Sequence, residues 1–288
     1  SARQKSRVAA GIAKLTVDSP IPYLLSDLSA VLQAEMGRLD KSGDNAPYSR
    51  LKSKIEEIKA DPRYAFMFSG MLVADTMADF LSRIFRLPGD GKPISIIDVS
   101  GVPSDITSVV VAMLSRMVFD YAIWSRNEPQ RPILLVCEEA HRYVPSERDA
   151  HKSSVGKILG RIAKEGRKYG VSLGLITQRP SDLAEGVLSQ CGTIIAMRLN
   201  NERDQAFVKA AMPEGARGFL DIIPALRNRE AIMCGEGVAI PIRVAFDNLE
   251  ENKRPASTDP LFSELWKQSG GEEEILDRVI KRWRSQGK

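Results

Sequence analysis

Two adjacent glutamates, Glu138 and Glu139, are the residues of this sequence best suited to chemistry. They follow an apolar run, ILLVC (Ile133–Cys137), that is typical of a buried strand. Neighbouring carboxylates repel each other unless a metal ion neutralises them. One carboxylate can assist Mg²⁺ through its water ligands, while the other orients and polarises a water that attacks a phosphate. The pair therefore predicts a Walker B arrangement, although surface strands also end in glutamate.

A second polar segment, TQRP (Thr177–Pro180), ends the next apolar run, VSLGLIT (Val171–Thr177). An amide one strand away from the carboxylates could hydrogen-bond the terminal phosphate or the attacking water. By itself the segment also fits an ordinary turn before proline. Its place directly after the glutamate strand and a helix favours Gln178 as a phosphate sensor.

Basic residues crowd the segment that runs from between the two sites into the second one, and they are Arg161, Lys164, Arg167, Lys168 and Arg179. Arg167 could simply be a cation near a helix C-terminus that Gly170 caps. It could also be an arginine finger that reaches the nucleotide of a neighbouring subunit, because a guanidinium can bridge two phosphate oxygens. The spacing leaves both interpretations open.

Strands and helices alternate from Pro93 onward, which predicts an α/β fold with a mostly parallel sheet. Ligands of such sheets bind beyond the carboxyl ends of the strands. The predicted strands are ISIIDVS, PILLVC, VSLGLIT and TIIAMRL, and a late hairpin joins EAIMCG to PIRVAF. Helices are predicted near 106–121, with Met113 on the inner face, and near 155–169 and 202–211.

The chain before Gly91 has helical periodicity instead. Three helices are predicted there, around Leu24–Leu32, around Leu51–Ile58 and over about 75–86. We therefore predict a helical bundle over 1–91, an α/β core over 92–249, and a polar segment with a basic helix over 250–288.

Composition limits the class of protein. The 288 residues carry a net charge of 41 − 37 = +4, which is too mild to demonstrate a nucleic-acid partner. The start lacks the apolar region of a secretory signal, and no apolar run approaches the roughly 18 residues of a membrane span. Three scattered cysteines fit reduced thiols and a cytoplasmic location. A zinc site of Cys137, His141 and His151 is conceivable but lacks a fourth ligand at motif spacing.

The order of motifs resembles the HerA-type ATPases, the hexameric DNA translocases of the HerA/FtsK branch of RecA-like P-loop motors. The similar segments are ISIIDVSGVPSDI, LLVCEEAHRYVP, GRIAKEGRKYGVSLGLITQRPSDL, CGTIIAMRLNNERDQ and GEGVAIPIRV. The resemblance implies a RecA-like P-loop NTPase core with an N-terminal helical insertion, ATP and Mg²⁺ as cofactors, and a homo-hexamer on double-stranded DNA. Such motors work with a nuclease or another effector, in DNA end processing or anti-phage defence.

The same resemblance implies a role for each motif residue. Glu138 would assist Mg²⁺ through water, although the general pattern has aspartate there, and Glu139 would be the catalytic glutamate. Gln178 would be the sensor and Arg167 the finger acting in trans, with Arg179 as its alternative near the nucleotide. His141 would either link nucleotide state to nearby loops or merely pack.

DNA contacts are the least visible part of the sequence. Arg142 and Lys152 are candidates for gripping phosphates in a central pore, and a solvated loop is the alternative for both.

One motif of the family is missing, because no GxxxxGK[ST] phosphate loop occurs in these residues. The nearest match, LPGDGKP, has Pro93 in place of the Mg²⁺-binding hydroxyl and predicts a turn. We therefore expect the C-terminal portion of a longer motor, inactive as an ATPase by itself. The alternatives are a non-hydrolysing ring scaffold for an effector and a conjugation or secretion motor of the same superfamily.

Overall fold

The structure is a computed structural model that describes residues 25–39, 45–61, 77–87, 91–102, 104–128, 131–146, 154–254, 262–267 and 273–285. Its contacts divide the chain into two units, Ser1–Gln190 and Cys191–Lys288. The predicted boundaries at 91/92 and 249/250 stay predictions. Lys152, His151 and the middle of LPGDGKP lie outside the described residues.

The first unit begins with helices, as the periodicity predicts. They are α1 (Leu25–Leu39), α2 (Ala46–Ala60), α3 (Met77–Phe85) and α4 (Ser104–Trp124). Helix α1 packs against α2 and buries Leu32. A proline in the first turn of α2 starts that helix, and the extended backbone of Asp61 ends it. Whether these helices form an insertion bundle stays a prediction.

Helix α4 anchors the first unit. Phe85 of α3 stacks on Tyr121 with ring centroids 4.2 Å apart, and Phe119 is fully buried against the edge of Tyr169. Among the described residues, one stretch, Ile106–Trp124 of this helix, is long and apolar enough to cross a membrane by length and composition only. The sequence expectation that no such run exists was too strict. In this structure the helix buries Val118, Phe119 and Ala122, while Val109 and Trp124 are exposed.

The site is carried by a parallel pair of strands, β1 (Ile133–Cys137) and β2 (Val171–Leu175). Helix α5 (Ser154–Glu165) and a 3₁₀ turn (Gly166–Tyr169) connect them and pack against α4 and β2. The connection is required because parallel strands cannot be joined by a tight turn. The predicted α/β architecture with a parallel sheet is confirmed here.

Gly170 ends this connection in the left-handed conformation, φ 75°, where its N–H bonds to the carbonyls of Gly166 and Arg167. The predicted glycine cap is confirmed. Gly166 is equally constrained, because a Cβ atom there would lie 2.5 Å from the carbonyl oxygen of Val171. The chain therefore turns into β2 in one defined geometry.

Two details of the first unit differ from prediction. ISIIDVS is not a strand, since no described segment forms a ladder with it, and Ile94 and Ile96 are 74% and 90% exposed. An apolar β-branched run becomes a strand only when another strand satisfies its backbone groups. Met113, expected on the inner face of α4, is 59% exposed because α4 is apolar around most of its circumference.

The second unit contains an antiparallel sheet of β3 (Thr193–Ala196), β4 (Glu230–Gly235) and β5 (Ile242–Ala245). The predicted hairpin of β4 and β5 is confirmed. Strand β3 pairs antiparallel with β4, so the parallel pairing expected for the whole sheet holds only for β1 and β2 in the described residues. Gly235, φ 101°, permits the close β3–β4 approach, because a Cβ atom there would lie 2.1 Å from the carbonyl oxygen of Gly192.

Helices complete the second unit. Helix α7 (Glu202–Ala211) begins at Asn201, whose side chain accepts a hydrogen bond from the N–H of Arg203. The tail contains α8 (Phe262–Leu265) and the predicted basic helix α9 (Glu273–Ser285). The remaining short helix, α6 (Glu185–Leu188), belongs to the end of the first unit. The core of the second unit comprises Ala196, Val208, Met212, Ala216, Ile223, Leu226, Ile232 and Cys234.

None of the three cysteines forms a disulfide. Cys137 and Cys234 are buried and Cys191 is partly exposed. Burial raises the pKa of the Cys137 thiol to about 11, so it is a packing residue rather than a nucleophile.

Candidate active site

The carboxyl ends of β1 and β2 lie side by side. Their parallel register, from Ile133 opposite Val171 to Cys137 opposite Leu175, brings the residues that follow each strand to the same edge. Two backbone hydrogen bonds extend the pairing beyond the strands, from Ile176 N–H to the Cys137 carbonyl (3.0 Å) and from Ala140 N–H to the Ile176 carbonyl (2.9 Å). The glutamates and Thr177–Gln178 are thus fixed opposite each other.

Glu139 sits at the sharp turn that leaves β1. Its backbone is left-handed, with φ 49° and ψ 46°, which is unusual for a residue with a side chain. The turn is held by a 3₁₀ helix (Ala140–Arg142), in which the N–H of Arg142 donates to the Glu139 carbonyl at 2.9 Å. Ala140 is fully buried beneath it. The strained turn points to function, since such conformations concentrate at active sites.

Both oxygens of the Glu139 carboxylate have a partner. The Nε2 group of Gln178 donates a hydrogen bond to Oε1 at 3.0 Å, and Nδ1 of His141 lies 3.4 Å from Oε2. The Glu139 side chain nevertheless keeps 42% of its surface exposed. Its carboxylate is therefore oriented by the protein and still reachable by water or a substrate.

Glu138 is exposed at the strand end, and among the described residues its carboxylate makes no hydrogen bond or ion pair. The part of the chain that the structure describes contains no group of three or more His, Cys, Asp or Glu that could hold a metal ion. Such a cage is thus absent from those ranges, and the conceivable zinc set is not tested, because His151 lies outside the described residues. An exposed single carboxylate fits Mg²⁺, which usually keeps several waters and takes one or two protein carboxylates.

The loops that follow β1 and β2 are fastened to each other. Pro145 and Leu183 form an antiparallel bridge, and the N–H of Ser146 donates to the Asp182 carbonyl at 2.9 Å. This pairing fixes the two loops relative to each other beyond the strand ends. It also buries Leu183.

Thr177 lies in the loop that directly follows β2 (the β2 loop). Its hydroxyl oxygen accepts a hydrogen bond from the backbone N–H of Arg179 at 3.0 Å and lies 3.0 Å from Nδ1 of His141. The sequence analysis overlooked this residue, although its position directly before Gln178 is a usable signal. Arg179 itself is exposed, with Pro180 buried after it.

Arg167 lies at the other end of β2. It is exposed in the 3₁₀ turn before the strand, whereas Gln178 follows the strand. The five residues of β2 span roughly 16 Å at about 3.3 Å per residue, more than twice the reach of an arginine side chain. The structure therefore separates Arg167 from the Glu139 carboxylate of its own chain.

The structure describes one of the two predicted DNA contacts. Arg142 is exposed beside His141 in the 3₁₀ turn after the glutamates, and Lys152 lies outside the described residues. Their assignment to DNA stays a prediction.

Comparison with known proteins gives a consistent match. The family model "Helicase HerA, central domain" matches residues 2–118. The DNA double-strand break repair helicase HerA of Pyrococcus furiosus is 39% identical over 155 residues, covering 54% of this chain and 26% of that protein. Its counterpart in Saccharolobus solfataricus is 26% identical over 284 residues, covering 93% of this chain and 52% of the relative.

Other relatives agree. The probable HerA helicase of Methanocaldococcus jannaschii is 32% identical over 198 residues, covering 68% of this chain and 38% of that protein. The chain thus spans between about a quarter and a half of the length of these relatives.

Among solved structures, the genome packaging NTPase B204 of Sulfolobus turreted icosahedral virus 2 matches 48% of this chain and 63% of its own, with 15% identity. The TM-score is 0.38, too low to equate the two folds.

The family model matches the first part of the chain, and the curated HerA helicases match between about half and nearly all of it. These matches identify the chain as similar to the HerA helicases over most of its length.

Proposed function

We propose that this chain is part of the motor of an ATP-driven double-stranded DNA translocase that assembles as a homo-hexamer. The observation that carries the proposal is the hydrogen bond from Gln178 Nε2 to Glu139 Oε1 at the carboxyl edge of β1 and β2. It joins the two residues that an ATP-hydrolysing edge requires, a water-activating carboxylate and a polar phosphate sensor.

Glu139 acts on the attacking water. The water oxygen forms a bond to the γ-phosphorus as the bond to the β–γ bridging oxygen breaks, leaving ADP and inorganic phosphate. Glu139 orients that water and accepts its proton, which later passes to solvent. The exposed and hydrogen-bonded carboxylate fits this task, because it is reachable yet held in one direction.

Gln178 reports on the nucleotide. Its amide can donate to the γ-phosphate or accept from the attacking water when ATP is in place. Because the same amide donates a hydrogen bond to Glu139 in this structure, phosphate binding to Gln178 would change the orientation of the Glu139 carboxylate. Glu138 would assist Mg²⁺ through water, and the ion supplies neutralisation of phosphate charge when bound.

Arg167 serves the neighbouring subunit. Its place at the amino end of β2, roughly 16 Å from the glutamate edge, supports action in trans rather than within one chain. Arg179 lies directly after the sensor and is the alternative basic contact near the nucleotide. A guanidinium at that place could neutralise transition-state charge.

DNA and an effector complete the proposal. Arg142 and Lys152 would contact DNA phosphates without reading sequence. A nuclease or other effector in the cytoplasm would act on the DNA, in end processing or anti-phage defence. The HerA relatives are named as DNA double-strand break repair helicases, which supports the repair setting.

The competing candidate is a non-hydrolysing ring scaffold for an effector. The lack of a GxxxxGK[ST] segment within these residues favours it. A conjugation or secretion motor would share the same edge and differ in its partners.

The variant Glu139→Gln tests the proposal in the full-length protein. We expect DNA-stimulated ATP turnover to fall at least about a hundredfold while ATP binding persists, since only the proton acceptor is lost. Turnover is measured by phosphate release and binding by equilibrium titration. Glu185→Gln, an exposed glutamate in α6, is the matched control and should behave as wild type. Undiminished turnover in Glu139→Gln, or none in the wild type, would favour the scaffold.

A further inference from the structure

His141 bridges the two loops of the site. Its Nδ1 lies 3.0 Å from the hydroxyl oxygen of Thr177 on the β2 side and 3.4 Å from Oε2 of Glu139 on the β1 side. The distance to Thr177 is that of a good hydrogen bond, whereas the distance to Glu139 is a weaker electrostatic contact. The His141 side chain is 21% exposed, so these contacts are largely shielded from water.

The chemistry of the neighbours determines which nitrogen carries the proton. An ionised carboxylate only accepts hydrogen bonds, so a lone pair on Nδ1 would face the lone pairs of Glu139 Oε2. A hydrogen on Nδ1 removes that repulsion and points toward both oxygen atoms. The neutral imidazole is therefore expected as the Nδ1–H tautomer.

Thr177 is itself fixed. Its oxygen already accepts the backbone N–H of Arg179 at 3.0 Å, which ties the hydroxyl to the start of the loop after Gln178. The same oxygen accepts a second hydrogen bond from Nδ1–H of His141. The loop after β2 therefore determines the position of the imidazole. Any movement of that loop is then transmitted to the side of Glu139 that Gln178 does not contact.

We propose that His141 and Thr177 are positioning residues that hold the Glu139 carboxylate through Nδ1–H, opposite the Gln178 amide. The pair fixes the direction in which Glu139 faces the attacking water and couples that direction to the β2 loop. This inference rests on the proposed ATPase function. Neither residue contacts the reacting atoms directly, so both affect turnover by way of Glu139.

The main test uses the position of the nitrogen. Asparagine places an amide N–H near the site of Nδ1, whereas glutamine places it near the site of Nε2. In the full-length protein we expect His141→Asn to keep the kcat for DNA-stimulated ATP hydrolysis within about threefold. His141→Gln and His141→Ala should lose about tenfold or more, with the KM for ATP little changed, because a misdirected catalytic group slows the chemical step. Equal kcat values for the asparagine and glutamine variants would overturn the proposal. These two variants can still be compared with each other if the alanine variant fails to fold.

The hydroxyl of Thr177 is tested in parallel. Thr177→Val should lower kcat about tenfold, Thr177→Ser should restore it, and the double variant with His141→Ala should lose little more than either alone. Thr107→Val is the control, since it removes a buried threonine hydroxyl outside the site, one that donates to the Val102 carbonyl. It should lower the melting temperature without a change in kcat. If the losses in kcat from His141→Ala and Thr177→Val add in the double variant, the two residues act independently, which would overturn the proposal.

A measurement that does not depend on ATP turnover separates this inference from the proposed function. Nitrogen-15 NMR of labelled histidine, assigned with His141→Asn, should show the Nδ1–H tautomer of His141 in the wild type and a changed signal in Thr177→Val. An Nε2–H tautomer would overturn the inference even in an active enzyme. An inactive wild type with the Nδ1–H signal would overturn the ATPase proposal alone.

Discussion

Glu139 occupies a left-handed backbone conformation that costs about 1–2 kcal/mol for a residue with a side chain. Two backbone hydrogen bonds offset it, from Ala140 to Ile176 and from Arg142 to Glu139, each contributing about 1 kcal/mol. The strain and its compensation are comparable, so the turn persists. In return the carboxylate leaves the strand at an angle that brings it onto Gln178.

Arg167 gives a prediction at the residue scale. Arg167→Ala should reduce ATP turnover about a thousandfold or more if the guanidinium stabilises transition-state charge. Mixing it in equal amounts with Glu139→Gln should restore activity, because about a quarter of randomly formed subunit contacts join an intact glutamate to an intact arginine. Phosphate release from re-assembled mixtures is the measurement.

The neighbouring cation is the control for that experiment. Lys168→Ala removes an exposed positive charge from the same turn and should leave turnover near wild type. Mixtures that stay inactive at every ratio would contradict the assignment of Arg167 to the neighbouring subunit.

At the scale of elements, the β4–β5 hairpin contains a defined ionic contact. Glu230 accepts hydrogen bonds from the backbone N–H of Arg227 and from Nη2 of Arg243, both at 2.7 Å. These contacts, the backbone bond first, lower the pKa of Glu230 below its ordinary value of 4.5. A lowered folded-state pKa means that the contribution to stability is present above pH 4.5 and is lost as the pH falls through the folded-state value.

The prediction follows from that sign. Glu230→Gln should lower the melting temperature by about 2 °C at pH 7, and the difference from wild type should shrink toward pH 3. Thermal denaturation at both pH values measures it, with Glu236→Gln, an exposed glutamate after β4, as the control. A difference that is as large at pH 3 as at pH 7 would contradict the ionic explanation.

Sequence reasoning predicted that the glutamates and Gln178 lie close together, because these residues follow the ends of two strands. Once ILLVC and VSLGL are neighbouring parallel strands, Glu139 and Gln178 must meet at their carboxyl edge. The left-handed turn at Glu139 could not be predicted, since long-range bonds to Ile176 impose it. The contact between Thr177 and His141 could not be predicted either, because the two residues are 36 positions apart.

The fold shows a similar division. Helices, whose bonds are local, were predicted in the right places, although α2 begins at Ala46, before the predicted range, and α4 extends past both of its predicted ends. Strand pairing depends on distant partners, so periodicity could not reveal that β3 runs antiparallel to β4 or that ISIIDVS finds no ladder in the described ranges.

At the scale of the whole molecule, the two units are organised differently. The first contains the paired glutamates, Gln178 and the exposed Arg167, while the second contains an antiparallel sheet with its own apolar core. The first unit also exposes apolar side chains on one face of its sheet, Leu134 at 64% and Val136 at 50%. Relatives about twice as long or longer share its sequence, and the proposed motor is a property of the full-length assembly.

Movement along DNA is therefore the most direct test of the account. The full-length protein is given a duplex carrying a short third strand, and release of that strand is followed over time. We predict release by the wild type with ATP, none with a non-hydrolysable analogue, and none by Glu139→Gln at equal DNA occupancy. Release by Glu139→Gln at the wild-type rate, or equal release without ATP hydrolysis, would contradict the claim that Glu139 drives a translocating motor.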